Sequence, residues 1–339
     1  MRKVLVSDIE NKKQHAGYKA RYDVLNIAKS MRMKIIYVSS KYNKKTLYGI
    51  LERLLCAFRI ITMLRCNDIV YVNYPNNIFY INLLFTLKKI KGYLLVGIVH
   101  DLDSLRGGTT KDDKYMSMFD SLIAHNLKMA SYIANVSKVR DDKIKSLQIF
   151  DYLIDEPCCS NNIIDNNIKL VFVGNLSKNK SSFIYEYRNE IDVWGMNFEE
   201  SRSPYINYKG CFDPNSPIVF NDSYMDKKTF GLVWDGMSSH TCNGDFGEYL
   251  RFNNPHKASF YLSQNLPIIV WSESALSEFV VKNKCGIIVS SMDEINDIIE
   301  SIDIADYTNM KSNAMKVGGK IRAGFFMMNA INEVEKDYT

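Results

Sequence analysis

Short apolar runs recur along the chain, and between them lie longer segments in which apolar residues return every three or four positions. In the first half the runs predict strands over 3–7, 34–39, 68–73, 93–99 and 121–124. The helical spacings predict helices over 18–30, 44–65, 79–89 and 126–133. The rhythm breaks over 154–167, which holds Pro157, Ser160 and four asparagines without apolar period and reads as a linker. It then restarts, with strands over 169–173, 191–194, 229–234, 267–271 and 286–289. Helices are predicted over 255–264, 274–282 and 292–301, with a terminal helix over 320–336.

Strands alternating with helices imply parallel sheets covered on both faces. The fold class expected is α/β, with two doubly wound, Rossmann-like domains facing an interdomain cleft. The first would span 1–155 and the second 156–319, with the terminal 320–339 able to pack back on the first. In such sheets ligands bind beyond the carboxyl ends of the strands, so the residues just after each predicted strand are where chemistry is expected.

At 339 residues the chain suits two cores, and its 46% hydrophobic content is that of a globular protein. No apolar run approaches the roughly 18 residues of a membrane span, and Val4-Leu5-Val6 after Met1-Arg2-Lys3 gives way at once to Ser7-Asp8-Ile9-Glu10, too short for a signal's apolar region, so a cytoplasmic location is expected. The seven cysteines include no CxxC pair, as in cytosolic proteins with free thiols. Net charge is +5, unevenly spread: residues 1–157 hold 26 Lys+Arg against 15 Asp+Glu, and the remainder 17 against 23. The basic half suits an anionic surface or acceptor. The stretch 44–65 is basic and amphipathic, compatible with a helix packed on the sheet or with one lying on an anionic membrane at the inner face of the cell. No aromatic-and-basic platform for nucleic acid is present, so nucleic acid is not an expected partner.

Asn253-Asn254-Pro255-His256-Lys257 carries the strongest local signal. Asn is a preferred N-cap and Pro a preferred first helical residue, so Asn254 is expected to cap a helix whose unpaired N–H groups suit a phosphate. Lys257 in that first turn opposes the helix dipole unless an anion compensates; a solvated surface lysine is the alternative. Gly174-Asn175-Leu176-Ser177-Lys178-Asn179-Lys180 follows a strand and is either a basic turn or a diphosphate contact, through Lys178 first and Lys180 second. Ala16-Gly17-Tyr18-Lys19 reads as a βα turn in which Gly17 permits close approach of a ligand. His100-Asp101-Leu102-Asp103 follows another strand. A base for a sugar hydroxyl should be Asp, Glu or His, so His100, Asp101 and Asp103 are candidates, Asp101 first. The two aspartates could also hold a metal; base work is preferred, and neither a metal nor a cofactor is expected. Asp235, in Trp234-Asp235-Gly236, and Glu248 are placed to accept hydrogen bonds from sugar or ribose hydroxyls. His125-Asn126 forms a further polar strand end.

Together these motifs resemble a bacterial family of glycosyltransferases that extend O-antigen and adhesin glycans, and within it the enterobacterial β-1,6-galactofuranosyltransferases most. The resemblance rests on Ala16-Gly17-Tyr18-Lys19-Ala20-Arg21, on His100 to Gly108, on His125-Asn126 and on Ile149-Phe150-Asp151-Tyr152-Leu153. In the second half it rests on Gly174-Asn175-Leu176-Ser177, on Phe230 to Gly236 and on Phe252-Asn253-Asn254-Pro255-His256-Lys257. It runs nearly end to end and in order. It implies a GT-B fold, a UDP-hexose donor held mainly by the second domain, Gly17 near that donor, and Lys178 and Lys257 on its diphosphate. It further implies transfer of a hexosyl group, preferably galactofuranosyl from UDP-galactofuranose with inversion, to a lipid-linked surface glycan. The family often has Asp-Gly-Asp-Ser where this chain reads Asp235-Gly236-Met237-Ser238, which bears on donor selectivity. Three alternatives stay open: a UDP-glucose-dependent glucosyltransferase of the same fold, a non-hydrolysing UDP-sugar epimerase, and a catalytically silent subunit. Homo-oligomers are compatible with all of them.

Overall fold

The computed structural model describes residues 1–9, 16–39, 47–108, 111–155, 157, 164–199, 203–213 and 220–338. Half of the expected linker over 154–167, namely 156 and 158–163, therefore lies outside the described residues. The chain divides into two compact units: Met1–Leu147 with the C-terminal residues from Phe326, and Gln148–Phe325.

The first unit holds β1 (Lys3–Ile9), β2 (Lys34–Ser39), β3 (Ile69–Tyr74), β4 (Leu94–Val99), β5 (Ser121–Ala124) and β6 (Ile144–Ser146) in the order β2-β1-β3-β4-β5-β6. All neighbours are parallel, in register from Val4 opposite Lys34 on one side and Lys3 opposite Ile69 on the other. The helices between them are α1 (Ala16–Ser30), α2 (Leu47–Met63), α3 (Ile78–Lys91), α4 (Lys111–Met116) and α5 (Leu127–Ser137). β3 is buried along its whole length, as a strand covered on both faces must be. Gly92 ends α3 in the left-handed conformation, its N–H returning to Lys88 O, and Asn126 caps α5 by accepting from the Met129 N–H at 2.9 Å.

The second unit opens with β7 (Ile168–Val173), α6 (Lys178–Ser181), α7 (Phe183–Glu186), β8 (Ile191–Trp194), β9 (Ile206–Tyr208), α8 (Asp222–Met225) and β10 (Lys228–Val233). It continues with α9 (Gly244–Tyr249), α10 (His256–Ser263), β11 (Ile268–Trp271), α11 (Ser277–Asn283), β12 (Gly286–Val289), α12 (Ile295–Ser301) and α13 (Ile304–Arg322). The sheet order is β12-β11-β10-β7-β8-β9, again parallel throughout. Phe172, Phe183, Phe230, Leu232, Trp234 and Trp271 form its core. Chain direction across this sheet reverses between β7 and β10, the position at which doubly wound sheets open a ligand crevice.

The last helix, α14 (Phe325–Lys336), returns to the first unit. Glu335 pairs with Lys3 at 3.1 Å, Asp337 with Lys145 at 2.9 Å, and the Tyr338 hydroxyl donates to Asp120 O at 3.0 Å. The segment after Leu147 belongs to the second unit because its aromatic residues pack there: the Tyr152 ring lies 4.9 Å from His256 and 5.5 Å from Phe260.

Candidate functional site

The placement of α10 on the second sheet decides what Lys257 can reach. Gly231, mid-strand in β10, leaves a gap that the Tyr261 ring fills; a Cβ there would stand 2.2 Å from Tyr261 Cγ. The Tyr261 hydroxyl accepts the Val173 N–H of β7 at 2.6 Å, so one side chain ties α10 to both strands beside the reversal. Behind the helix, Gly318 of α13 comes so close to Leu262 O that a Cβ would lie 2.2 Å from it. Lys257 precedes Tyr261 by four residues and shares its face of α10, one turn nearer the carboxyl ends of the strands.

There the Lys257 ammonium donates to Trp234 O and to Asp235 Oδ1, both at 2.9 Å, and stands 4.3 Å from the centre of the Phe172 ring. A Cβ on Gly174 would lie 3.7 Å from it. The Lys257 and Asp235 side chains are 10% and 7% exposed, so this is a buried ion pair and not a solvated lysine. Burial lowers the Lys257 pKa from its ordinary value and the charge of Lys180 pulls the same way, while Asp235 draws it back up. Next to the pair, burial pushes the Cys242 thiol up.

The loops around this end are tied together. Gly236 N–H donates to Lys180 O at 2.8 Å, the Ser181 hydroxyl to Asn175 O at 2.7 Å, and Met237 N–H to Asn243 Oδ1 at 2.9 Å. Lys180 lies over Phe246 at 5.0 Å. Lys178 turns instead to Glu199, at 2.7 Å on the surface, and Glu248 to Arg251, also at 2.7 Å. The structure thus gathers Lys257, Asp235, Lys180 and Gly174, while Lys178 and Glu248 face ion-pair partners of their own.

Helix α10 starts one residue later than the Asn-Pro signal predicts. Pro255 takes the N-cap place, with φ −63° and ψ 139°, and no side chain caps the helix. The Asn254 amide donates to Gln148 O, which ties the start of α10 to the segment after Leu147. α1 likewise begins at Ala16, which puts Gly17 in its first turn and not in a connecting loop.

In the first unit, His100 donates its Nε2 proton to Asn73 Oδ1 at 2.9 Å, the Asn73 amide donates to Asp8 Oδ1 at 3.4 Å, and Arg21 pairs with Asp8 and donates to Pro75 O at 2.5 Å. His125 donates to His100 O at 2.9 Å, and burial lowers its pKa to about 4. Asp101 pairs with Arg106 at 2.5 Å and is one-third exposed. Asp103 is exposed and opens a 3-10 turn over Asp103–Arg106, its carbonyl accepting the Gly108 N–H at 2.9 Å. Asp8 and Asn73, at the ends of β1 and β3, occupy the point where this sheet reverses. The sequence pattern singles out neither, because the strand predicted over 3–7 stops one residue short of Asp8. Among the described residues no group of three or more His, Cys, Asp and Glu is arranged to hold a metal ion.

Comparison with known proteins adds the family. The glucosyltransferase 3-like N-terminal domain matches residues 3–149, and the glucosyltransferase 3-like C-terminal domain residues 170–334. The β-1,6-galactofuranosyltransferase WbbI of Escherichia coli K12 is 34% identical over 335 residues, covering 98% of both chains. The chain belongs to this glucosyltransferase 3-like family of glycosyltransferases. Glucosyltransferase 3 of Streptococcus gordonii is 26% identical over 49% of each chain. Among solved structures, sucrose-phosphate synthase from Thermosynechococcus elongatus matches with a TM-score of 0.61 at 11% identity, covering 100% of this chain and 98% of that one. The E. coli trehalose-6-phosphate structure bound with UDP-2-fluoro glucose matches with a TM-score of 0.56 at 8% identity, over 98% and 99%. The fold of this glycosyltransferase is GT-B, two parallel-sheet units each covered by helices.

Proposed function

We propose that this glycosyltransferase moves a galactofuranosyl group from UDP-galactofuranose to a lipid-linked O-antigen or related surface glycan, with inversion to a β-linkage. The observation that carries this reading is end-to-end identity of 34% with a relative named a β-1,6-galactofuranosyltransferase. The buried Lys257 at the start of α10, beside the β7–β10 reversal, supports a diphosphate leaving group there. Solved GT-B structures carrying UDP or a UDP-sugar support the uridine nucleotide.

A carboxylate, Asp101 first and Asp103 second, takes the proton of the acceptor hydroxyl. The acceptor oxygen forms the new bond to the anomeric carbon, and the bond from that carbon to the β-phosphate oxygen breaks. The departing UDP takes up the negative charge, which Lys257, Lys180 and the first N–H groups of α10 meet without a metal ion. Asp235, hydrogen-bonded to the Lys257 ammonium at 2.9 Å, holds that ammonium in place. A second reading, glucosyl transfer from UDP-glucose, is favoured by the match to glucosyltransferase 3 of S. gordonii.

The test offers UDP-galactofuranose, UDP-galactose and UDP-glucose in turn, with a synthetic lipid-linked acceptor and mass detection of the product. A hexose added from UDP-galactofuranose alone is the expected result. Addition from UDP-glucose alone replaces it with the second reading. Conversion of the donor into an epimeric UDP-sugar, with no hexose added to the acceptor, overturns both in favour of an epimerase.

A further inference from the structure

Helix α2 carries its apolar residues on the wrong side for a helix in water. The side facing the unit's interior is made of Gly49, Cys56, Ala57 and Ile60, while Leu47, Tyr48, Leu51, Leu54, Leu55 and Phe58 all face out. Leu47 is 74% exposed, Leu54 58% and Phe58 64%. At about 100° per residue, positions 47, 51, 54, 55 and 58 fall on one stripe opposite the buried one. A solvated helix carries polar residues there, so an apolar stripe along 17 residues, about 25 Å, marks a surface that another phase or molecule covers.

The charges around the stripe identify the phase. From Leu47 to Arg65 the sequence has Arg53, Arg59 and Arg65 against the single acidic residue Glu52. The last turn of α3 adds Lys88, Lys89 and Lys91, and its first turn adds no acid. Lys91 donates to Leu64 O at 2.7 Å, which places this turn, and the 74% exposed Ile90 in it, at the C-terminal end of α2. A two-fold contact between copies through this face would set cations against cations. An apolar stripe rimmed by Lys and Arg matches a bilayer whose headgroups are anionic. No described helix is long and apolar enough to cross a membrane, so the mode is lying on the surface, not spanning it.

We propose that the outer face of α2, with the basic last turn of α3, docks the first unit on an anionic lipid bilayer. Leu51, Leu54, Leu55 and Phe58 enter the acyl boundary, and Arg59, Arg65 and Lys89 meet lipid phosphates. Because α2 and α3 lie on a different unit from Lys257 and Asp235, vesicle binding and sugar transfer can fail independently.

The experiment is co-sedimentation of the full chain with phosphatidylcholine vesicles, with and without about 30 mol% phosphatidylglycerol, at low and high salt. The chain is expected to sediment with the anionic vesicles, and salt of about 1 M to release most of it. Leu54→Glu/Phe58→Glu should lower partitioning at least tenfold while leaving the melting curve unchanged, since both side chains are exposed. Arg59→Gln/Arg65→Gln, which leaves the apolar stripe whole, should weaken binding roughly fivefold per charge to anionic vesicles and not to neutral ones. The proposal is overturned if the unaltered chain stays in the supernatant with both vesicles. It is equally overturned if the chain is a dimer in solution that Leu54→Glu/Phe58→Glu converts to monomer, because the stripe is then covered by a second copy.

Discussion

Removing the charge of Lys257 tests the donor-site chemistry most directly, but the substitution has to respect its partner. Lys257→Ala would strand the Asp235 carboxylate, whose side chain is 7% exposed, and breaking a buried pair from one side costs about 3–5 kcal/mol. Against a total stability of about 5–15 kcal/mol, such a loss would confuse unfolding with lost catalysis. Lys257→Gln combined with Asp235→Asn removes both charges and keeps groups able to hydrogen-bond, so its melting temperature should stay close to that of the unaltered protein. Loss of one preorganised donor to developing negative charge costs about 10²–10³ in kcat, or about 2.7–4 kcal/mol. The assay is UDP release with saturating acceptor, resolved into kcat and KM for the donor. The fall should appear mainly in kcat, because the leaving diphosphate carries more charge in the transition state than in the bound donor. A double variant that melts normally and turns over within about threefold of the parent, less than about 1 kcal/mol in barrier, would refute the role of Lys257.

Gly231→Ala should lower stability by about 1–3 kcal/mol in a denaturant titration, since its Cβ meets the Tyr261 ring at 2.2 Å, and transfer should fall with it as α10 is displaced. Asp101→Asn should lower kcat by about 10²–10⁴ with donor affinity unchanged in calorimetry; if Asp103→Asn does so instead, the base is Asp103. His125 is buried neutral, with a folded pKa of about 4 against an ordinary 6.5. The unfolded chain binds its proton more tightly, so the contribution is whole above pH 6.5 and drains away as pH falls to about 4. At about 1.4 kcal/mol per pH unit it amounts to about 3 kcal/mol. His125→Gln should flatten that part of the acid limb in urea melts, and an unchanged limb would assign it to other groups.

Ten of the twelve strands among the described residues are legible from periodicity because a parallel sheet covered on both faces demands unbroken apolar runs. β6 and β9, three residues each at sheet edges, are too short to leave a pattern. Helix α13 is illegible for another reason. Gly318-Gly319 reads as a breaker in the sequence, yet Gly318 is what lets α13 approach Leu262 O on α10, and packing overrides propensity. The true break falls at Gly324, φ 73°, which separates α13 from α14 within the single helix predicted over 320–336. Lys257 is legible because the Asn-Pro signal marks a helix start locally. Asp8, Arg21 and Asn73 are not, since their association spans up to 65 residues and arises only when β1 and β3 pair. The outward stripe of α2 misleads for a third reason: periodicity reports that a helix has an apolar face but not which way it turns.

On the proposed diphosphate role of Lys257, its pairing with Asp235 also bears on how tightly a donor should bind. Two opposite charges 2.9 Å apart nearly cancel, so an arriving diphosphate meets net positive charge mainly from Lys180 and the amides of α10. Asp235 holds the ammonium in place before the ligand arrives, which removes reorganisation from the reaction, and it competes with the ligand for that ammonium. As the bond to the anomeric carbon breaks, the leaving oxygen gains charge and the competition shifts towards it. Part of the attraction is thereby withheld from the bound donor and expressed in the transition state, the condition for raising kcat rather than only lowering KM. Asp235→Asn leaves the Lys257 ammonium unpaired and lowers stability, so it is assayed below its own melting temperature; there it should tighten donor binding, read as a lower KM and a lower calorimetric Kd for UDP, without raising kcat. If Asp235→Asn weakens UDP binding while the fold is intact, the carboxylate serves the ligand directly through its hydroxyls, and its competition with the diphosphate for Lys257 is not what limits affinity.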